Sequence, residues 1–385
     1  MDTIEGRITE KSKSFLCLRL GVFAVCTILV HIVNAQDNTS WPSFRGNAVL
    51  NGNTKVQLPK SPKLLWTYKT GDKTKSSPII SAGAIYVGSS NGNVYAISEK
   101  GLLLWKYSAG TAIEASPLFM DNMIYVGSLE GALVALDAKT GKVKWKYATE
   151  GQISGAANYF VSLSKEKRLM VGSYDYSMHC VSASNGKAVW KYTSENYING
   201  CPATNGKVAV FGGCDGQLYV VDVNLGKLVH KIDVGTYIAS SPALDGNLSF
   251  FGNYDGEFFC ANIASKKIMW KYVGAGPFLG SPAISKNTVI VGSEDRNLYC
   301  LSKADGKIVW KYKTLGKING SPVIVGTTVV VTSGDGRVYM LDVNTGKEVW
   351  NYEIGSPLIS TPAVIQNELV VIAEDGCVYT FGEKK

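Results

Sequence analysis

The sequence predicts an all-β protein folded as an eight-bladed β-propeller of four-stranded antiparallel blades, and three observations carry that prediction. The stretch Asp335 to Trp350 reads as a hairpin. Val338 and Met340 fall at strand spacing, Asn344-Thr345-Gly346 makes a turn, and a second short run ends on Trp350. Related copies place Trp at 66, 105, 145, 190, 270, 310 and 350, with His230 where one more is due, so the interval is close to forty residues throughout. A period of that size marks a repeat architecture. The 41 glycines and 20 tyrosines, against only 18% charged residues, suit many short strands joined by tight turns.

Residues 1–35 read as a signal peptide. Lys11, Lys13 and Arg19 precede the apolar run Leu20 to Val33, and Val33-Asn34-Ala35 offers small residues for cleavage. The run is shorter than the roughly 20 residues a spanning helix needs, so no transmembrane segment is expected in the mature chain. Cys26 follows Phe23-Ala24-Val25 and is followed by more apolar residues, a context that argues against a lipid anchor. Residues 36–63 form an irregular leader with Pro42, Pro59 and Pro62, in which Trp41-Pro42-Ser43-Phe44-Arg45-Gly46 should cover an apolar surface at one end of the domain or its rim.

The propeller is assigned to residues 64–385. In each unit a small-residue-Pro element such as Ser77-Pro78, Ser281-Pro282 or Thr361-Pro362 opens the first strand, with Ala156-Ala157 the deviant. A second strand such as Val289 to Gly292 follows, then an acidic-Gly turn such as Asp335-Gly336, the third strand, and a fourth ending near the Trp. That is one propeller blade. The last unit holds three strands before Lys385, whereas Leu64-Leu65-Trp66-Thr67-Tyr68 is a Trp strand with none before it. The N-terminal strand should therefore complete the last blade and remove two open edges. On the outer strands, as in Trp105-Lys106-Tyr107, alternation turns aromatics inward and Lys toward solvent.

The formal charge of +8 does not make a nucleic-acid protein, because the lysines recur at fixed repeat positions instead of forming one patch. The third unit carries five extra residues around Ser164. Lys165, Glu166, Lys167 and Arg168 there are the candidate contact points for a partner protein. At the channel mouth, three residues before each Pro position, stand Lys75, Glu114, Ser154, Asn199, Ala239, Leu279, Asn319 and Ile359. Of these Lys75, Glu114, Ser154, Asn199 and Asn319 are the candidate ligand-binding residues. One carboxylate and two amides fall short of the six to eight oxygens calcium takes, and no acid–base pair emerges, so neither a metal site nor catalytic residues are expected. Asp-Gly turns are explained by local hydrogen bonding and positive φ. Cys180, Cys260 and Cys300 sit at core positions of the third strand, while Cys201 and Cys214 fall near one end of one blade and leave a bridge open.

With the pattern Tyr-x-Leu-Asp-x-x-Thr-Gly-Lys-x-x-Trp in view, the chain resembles the PQQ-type (quinoprotein-like) β-propeller repeat proteins over about residues 41 to 382. Trp41 to Gly46 resembles the leader of such proteins. Two branches of the family carry different implications. The noncatalytic branch of the outer-membrane assembly factor BamB implies a monomeric scaffold at the periplasm or outer-membrane periphery, with a protein partner such as the β-barrel assembly machinery and no cofactor. The dehydrogenase branch implies a PQQ-dependent alcohol or sugar oxidoreductase with calcium; its members are generally longer and use adjacent cysteines, and this chain has no Cys-Cys pair. A ligand-binding extracellular propeller is the third reading. Length and copy number resemble BamB.

Overall fold

Forty-residue spacing and strand alternation produce eight separate antiparallel sheets in a computed structural model that describes residues 38–384. Residues 1–35, read from the sequence as a signal peptide and containing Cys26, lie outside the described residues. Blade 1 comprises Ile79–Ser81, Ala84–Gly88, Asn93–Ser98 and Leu103–Ser108, and the same four-strand order recurs through blade 7, where the leader strand Asn53–Thr54 adds a fifth, parallel to Val323–Val325. Blade 8 has Ala363–Ile365, Glu368–Ile372 and Cys377–Gly382 from the C-terminal end, and its fourth strand is Lys63–Lys69. That closing strand pairs antiparallel with Cys377–Gly382, Thr67 opposite Tyr379, so the ring is shut by the first full-length strand of the chain.

Adjacent blades lock through two reciprocal size matches. At the end of the second strand, Gly88, Gly127, Gly172, Gly212 and Gly292 each face an isoleucine of the following blade; a Cβ on Gly172 would fall 2.5 Å from Ile198. The bare backbone here admits the branched side chain, a close fit of the kind that makes interiors dense. On the outer strand, the Trp indole lies over a glycine of the next blade's hairpin, as Trp310 does over Gly346. Its Nε1 donates to a carbonyl 33 residues on, for example Trp66 to Glu99 at 2.8 Å and Trp190 to Val223 at 2.8 Å. Burying such a ring contributes about 2 to 3 kcal/mol.

The joint between blades 4 and 5 departs from this rule on both sides. His230 takes the Trp position and Lys266, at φ 59°, takes the place of the glycine. His230 is buried, neither ring nitrogen makes a hydrogen bond, and its approach to the Ile263 carbonyl falls short of bonding geometry. Burial, followed by the charge of Lys266, pushes its pKa down. The smaller ring and the added side chain compensate in volume while losing the indole bond.

The leader does more than cover one end. From residue 38 to residue 57 it passes beneath all eight blades and meets their innermost strands, whose inner edges would otherwise be unpaired. Leader carbonyls accept from Ile80, Phe119, Thr204, Leu244, Ile284, Ile324 and Gln366, at 2.7 to 3.0 Å, while blade 3 contributes Asn158 Nδ2 at 2.8 Å. Trp41 is buried and exchanges two backbone hydrogen bonds with Ile80. Arg45 crosses the floor with no exposed surface and donates from its two Nη atoms to the carbonyls of Pro322 and Pro282. Desolvation lowers its pKa to about 9, which leaves it charged at neutral pH.

Candidate functional site

With the floor sealed, the ring holds a blind funnel of about 190 Å³, open on the side where the small-residue-Pro elements begin and lined at its base by Phe44. Below the mouth the small residues of the Pro elements form a belt. Thr361 N donates to Ser77 Oγ at 2.9 Å, Ser77 N to Ser116 Oγ at 3.0 Å, Cys201 N to Ser241 Oγ at 2.8 Å and Ser281 N to Ser321 Oγ at 2.9 Å. Ala156 and Cys201 have no hydroxyl and interrupt it. The repeat thus uses its hydroxyls to tie neighbouring blades together.

All eight mouth positions read from the sequence line this one funnel, including Lys75, Glu114, Ser154, Asn199 and Asn319. Lys75 Nζ lies 2.8 Å from Glu114. Asn319 Nδ2 donates to Glu294 at 3.2 Å, and Glu294 is also paired with Lys317 at 2.8 Å. Asn199 Nδ2 donates to Tyr237 Oη. The Oδ1 atoms of Asn199 and Asn319 and the Oγ of Ser154 are buried without a hydrogen-bond partner. Such atoms carry a desolvation cost unless something fills the space beside them.

The residues present do not fit a quinone-with-calcium centre. The one mouth carboxylate is engaged by a lysine, Ala239, Leu279 and Ile359 offer no ligands, and among the described residues no three His, Cys, Asp or Glu side chains gather as a metal would require.

Outside the funnel, the acidic-Gly turns are satisfied internally. In blade 7 Asp335 accepts from Arg337 N at 3.0 Å and from Tyr339 Oη at 2.8 Å, and blades 4 and 6 repeat the arrangement. Blade 3 substitutes His179 for that tyrosine. Its Nε2 lies 3.0 Å from Asp175 and its Nδ1 2.9 Å from Tyr147 Oη. Burial raises the Asp175 carboxyl, but the bond and charge of His179 outweigh it and bring the pKa below the usual range. Burial also lowers His179, against the pull of Asp175. We read the pair as a carboxylate receiving a bond from a neutral imidazole, with Tyr147 donating to the other nitrogen. Both partners are buried, and through Tyr147 the pair joins blade 3 to blade 2.

Cys201 and Cys214 are free thiols, so the bridge left open by the sequence is not formed. Cys180, Cys260 and Cys300 are buried, and desolvation raises all three thiols, which keeps them protonated packing groups.

The five-residue insertion adds a charged lip to a side-wall concavity that the repeat also forms between blades 1 and 2, around Ala84, Tyr86 and Leu104. The insertion forms the turn between Asn158–Val161 and Lys167–Gly172, with Lys165 exposed at its tip. Lys167 pairs with Asp121 of blade 2 at 2.6 Å, and Arg168 pairs with Glu166 at 3.2 Å. Lys165, Glu166 and Lys167 border a cavity of about 550 Å³ whose floor includes Met123, Tyr125 and Trp145; Arg168 is not in its lining. The sequence located the loop but not this floor, which comes from blade 2.

Ring, repeat and leader together define a PQQ-type (quinoprotein-like) repeat propeller. The chain belongs to the family described as the β-propeller of beta-alanine-activating enzyme, whose family model matches residues 157–385. The family model for outer membrane protein assembly factor BamB matches residues 58–162. Among solved structures, BamB from Moraxella catarrhalis is similar at 20% identity and a TM-score of 0.70, covering 84% of this chain and 100% of that one. The quinohemoprotein alcohol dehydrogenase of Comamonas testosteroni is similar at 15% identity and a TM-score of 0.79, covering 92% of this chain and 82% of that one. The computationally designed Ika8 protein reaches a TM-score of 0.72 at 16% identity, with coverages of 83% and 100%. At these identities the likeness is one of fold. No curated protein matches the chain.

Proposed function

We propose that this chain is a noncatalytic, exported binding scaffold of the cell envelope, similar in role to BamB, which engages a protein partner through the side wall of blades 2 and 3. The observation that carries the reading is the charged lip that the insertion adds to the side-wall concavity. An apolar floor of Met123, Tyr125 and Trp145 lies inside a charged lip of Lys165, Glu166 and Lys167, the core-and-rim arrangement of protein interfaces. Only blade 3 carries this extra loop, so the lip, unlike the concavity, is not required by the repeat. Among the described residues no helix is long and apolar enough to cross a membrane.

The test is site-specific photocrosslinking in the native cell from position 184, which lines the same concavity, with recovery of the crosslinked species. Enrichment of a barrel-assembly component that is lost in a Lys165→Glu, Lys167→Glu variant is expected. Crosslinking that never includes such a component would reject the assignment. Reconstitution with pyrroloquinoline quinone and calcium followed by dye reduction with alcohols and sugars addresses the oxidoreductase reading; cofactor-dependent turnover would overturn the scaffold.

A further inference from the structure

The mouth-side rim carries a feature that neither the repeat nor the side-wall reading uses. At each blade junction a residue of the loop entering the blade accepts a backbone hydrogen bond from a turn residue, as Lys73 does from Ser90 and Lys317 from Gly334, both at 2.8 to 2.9 Å. These positions are polar or small over much of the ring. At the three junctions from blade 3 to blade 5 four of the six are tyrosines, Tyr174, Tyr197, Tyr237 and Tyr254, the other two being Gln152 and Cys214. Tyr174 and Tyr197 stack at 4.8 Å and 28°, and Tyr237 and Tyr254 at 6.0 Å and 30°. Tyr176 adds a ring 5.0 Å from Tyr197. It holds φ 70° at the turn position filled by Gly92, Gly216 and Gly336 in other blades, a conformation unfavourable for a residue with a side chain.

The repeat's own tyrosines, such as Tyr219 and Tyr339, are buried with their hydroxyls on aspartates. The arc is different, for Tyr176, Tyr197 and Tyr254 are 42, 41 and 54% exposed. Aromatic faces left in water beside one another offer stacking surface to a ligand.

Three further facts narrow the ligand. Flanking Glu294 and Glu195 are paired with Lys317 and Lys231, while Asp255 beside Tyr254 forms no ion pair among the described residues, so the arc disfavours an anion. Tyr237 is joined to Asn199, which leads from the arc into the funnel. At that inner edge the unmet atoms are Asn199 Oδ1, Asn319 Oδ1 and Ser154 Oγ, which call for hydroxyl or N–H donors. A neutral ligand with flat C–H faces and a periphery of hydroxyls meets all three conditions. An extended peptide would bring carbonyls as well, in equal number to its donors, and the unmet amide atoms here are acceptors.

We propose that the tyrosine arc of blades 3 to 5 is a saccharide-binding platform, taking two or more sugar units across its two stacked pairs, with hydroxyls of the innermost unit reaching the funnel amides. The site lies apart from the side-wall concavity and goes beyond the protein-scaffold reading.

The experiment titrates the purified protein with cellohexaose, maltohexaose and chitohexaose by isothermal calorimetry. At least one of the three should bind. Tyr197→Ala and Tyr254→Ala should each weaken that binding about tenfold, the loss expected from one stacked ring. Tyr197→Phe, which keeps the ring, should stay near the parent value, and all three variants should melt with the parent. Failure of all three saccharides to bind overturns the proposal, as does binding that is indifferent to both alanine variants. Tyrosine-dependent binding of a proline-rich peptide in the absence of any saccharide binding would reassign the arc to peptide. The Lys165→Glu, Lys167→Glu variant should bind saccharide normally, so loss of the envelope partner and loss of sugar binding report on separate sites.

Discussion

The two ends of the ring solve opposite problems. At the floor, open edges of the innermost strands are met by leader carbonyls, and Arg45 reaches the carbonyls of Pro322 and Pro282 across the axis. At the mouth, ion pairs and hydroxyls satisfy part of the polar lining, while Ser154, Asn199 and Asn319 keep unmet atoms and tyrosines stay exposed above them. The floor is closed by the protein's own chain, and the mouth is left to something else. Stability should therefore reside below and binding above.

Removing residues 38–68 breaks the comparison at its strongest point, because it takes away both the leader and the strand that closes blade 8. Each backbone hydrogen bond contributes about 1 kcal/mol net, so the loss exceeds roughly 10 kcal/mol and the cooperative melting transition should disappear. A truncated chain that melts like the parent would refute ring closure.

A finer cut at the floor is Gly52→Ala. A Cβ there would lie within bonding distance of the Arg45 guanidinium, at 1.9 Å from Nη2, and φ is 56°. Denaturant titration should show a loss of about 2 to 4 kcal/mol.

The wall between the two ends has its weak joint at His230. His230→Trp alone should destabilise by about 1 to 3 kcal/mol, since Lys266 occupies the glycine site that the indole needs. His230→Trp with Lys266→Gly should instead gain about 1 to 2 kcal/mol over the parent, and the non-additivity is the diagnostic result. The pH dependence has a definite sign. A base whose folded pKa is lowered releases its proton in the native state, so the unfolded chain binds more protons and stability falls as pH drops through about 6.5. The gain of the double variant should grow from pH 8 to pH 5.

At the mouth, Asn319→Ala should change stability by no more than about 0.5 kcal/mol, because the amide already has an unmet atom and only one bond to Glu294. A loss comparable to that of the floor variant would erase the distinction between the two ends.

Much of this was legible in the residues. Trp spacing showed the forty-residue period, counting the small-residue-Pro elements gave eight units, the unpartnered Leu64 to Tyr68 strand gave the closure, and counting back from each Pro placed eight residues around one funnel. These inferences work because a repeat converts sequence offset into position on the ring. The leader was read only as a cover for an end or rim, since nothing periodic in Asp37 to Pro62 reveals a path under eight blades. The arc of tyrosines was hidden for a related reason. Tyrosine is common in the repeat, and Tyr174, Tyr197, Tyr237 and Tyr254 separate from the buried ones only when backbone pairing shows which loop positions meet.

By itself, then, the sequence determined the periodic properties: strand alternation, turn chemistry, the size-matched contacts that each blade can encode locally, and the number of blades needed to close. Tertiary structure decided what depends on residues far apart in the chain. Lys266 makes sense only against His230, Arg45 only against prolines more than two hundred residues away, and the mouth only as eight loops brought onto one axis. Local physics repeats with the sequence, whereas the cost of an unpaired edge or an unmet buried acceptor is set by whichever distant segment reaches it.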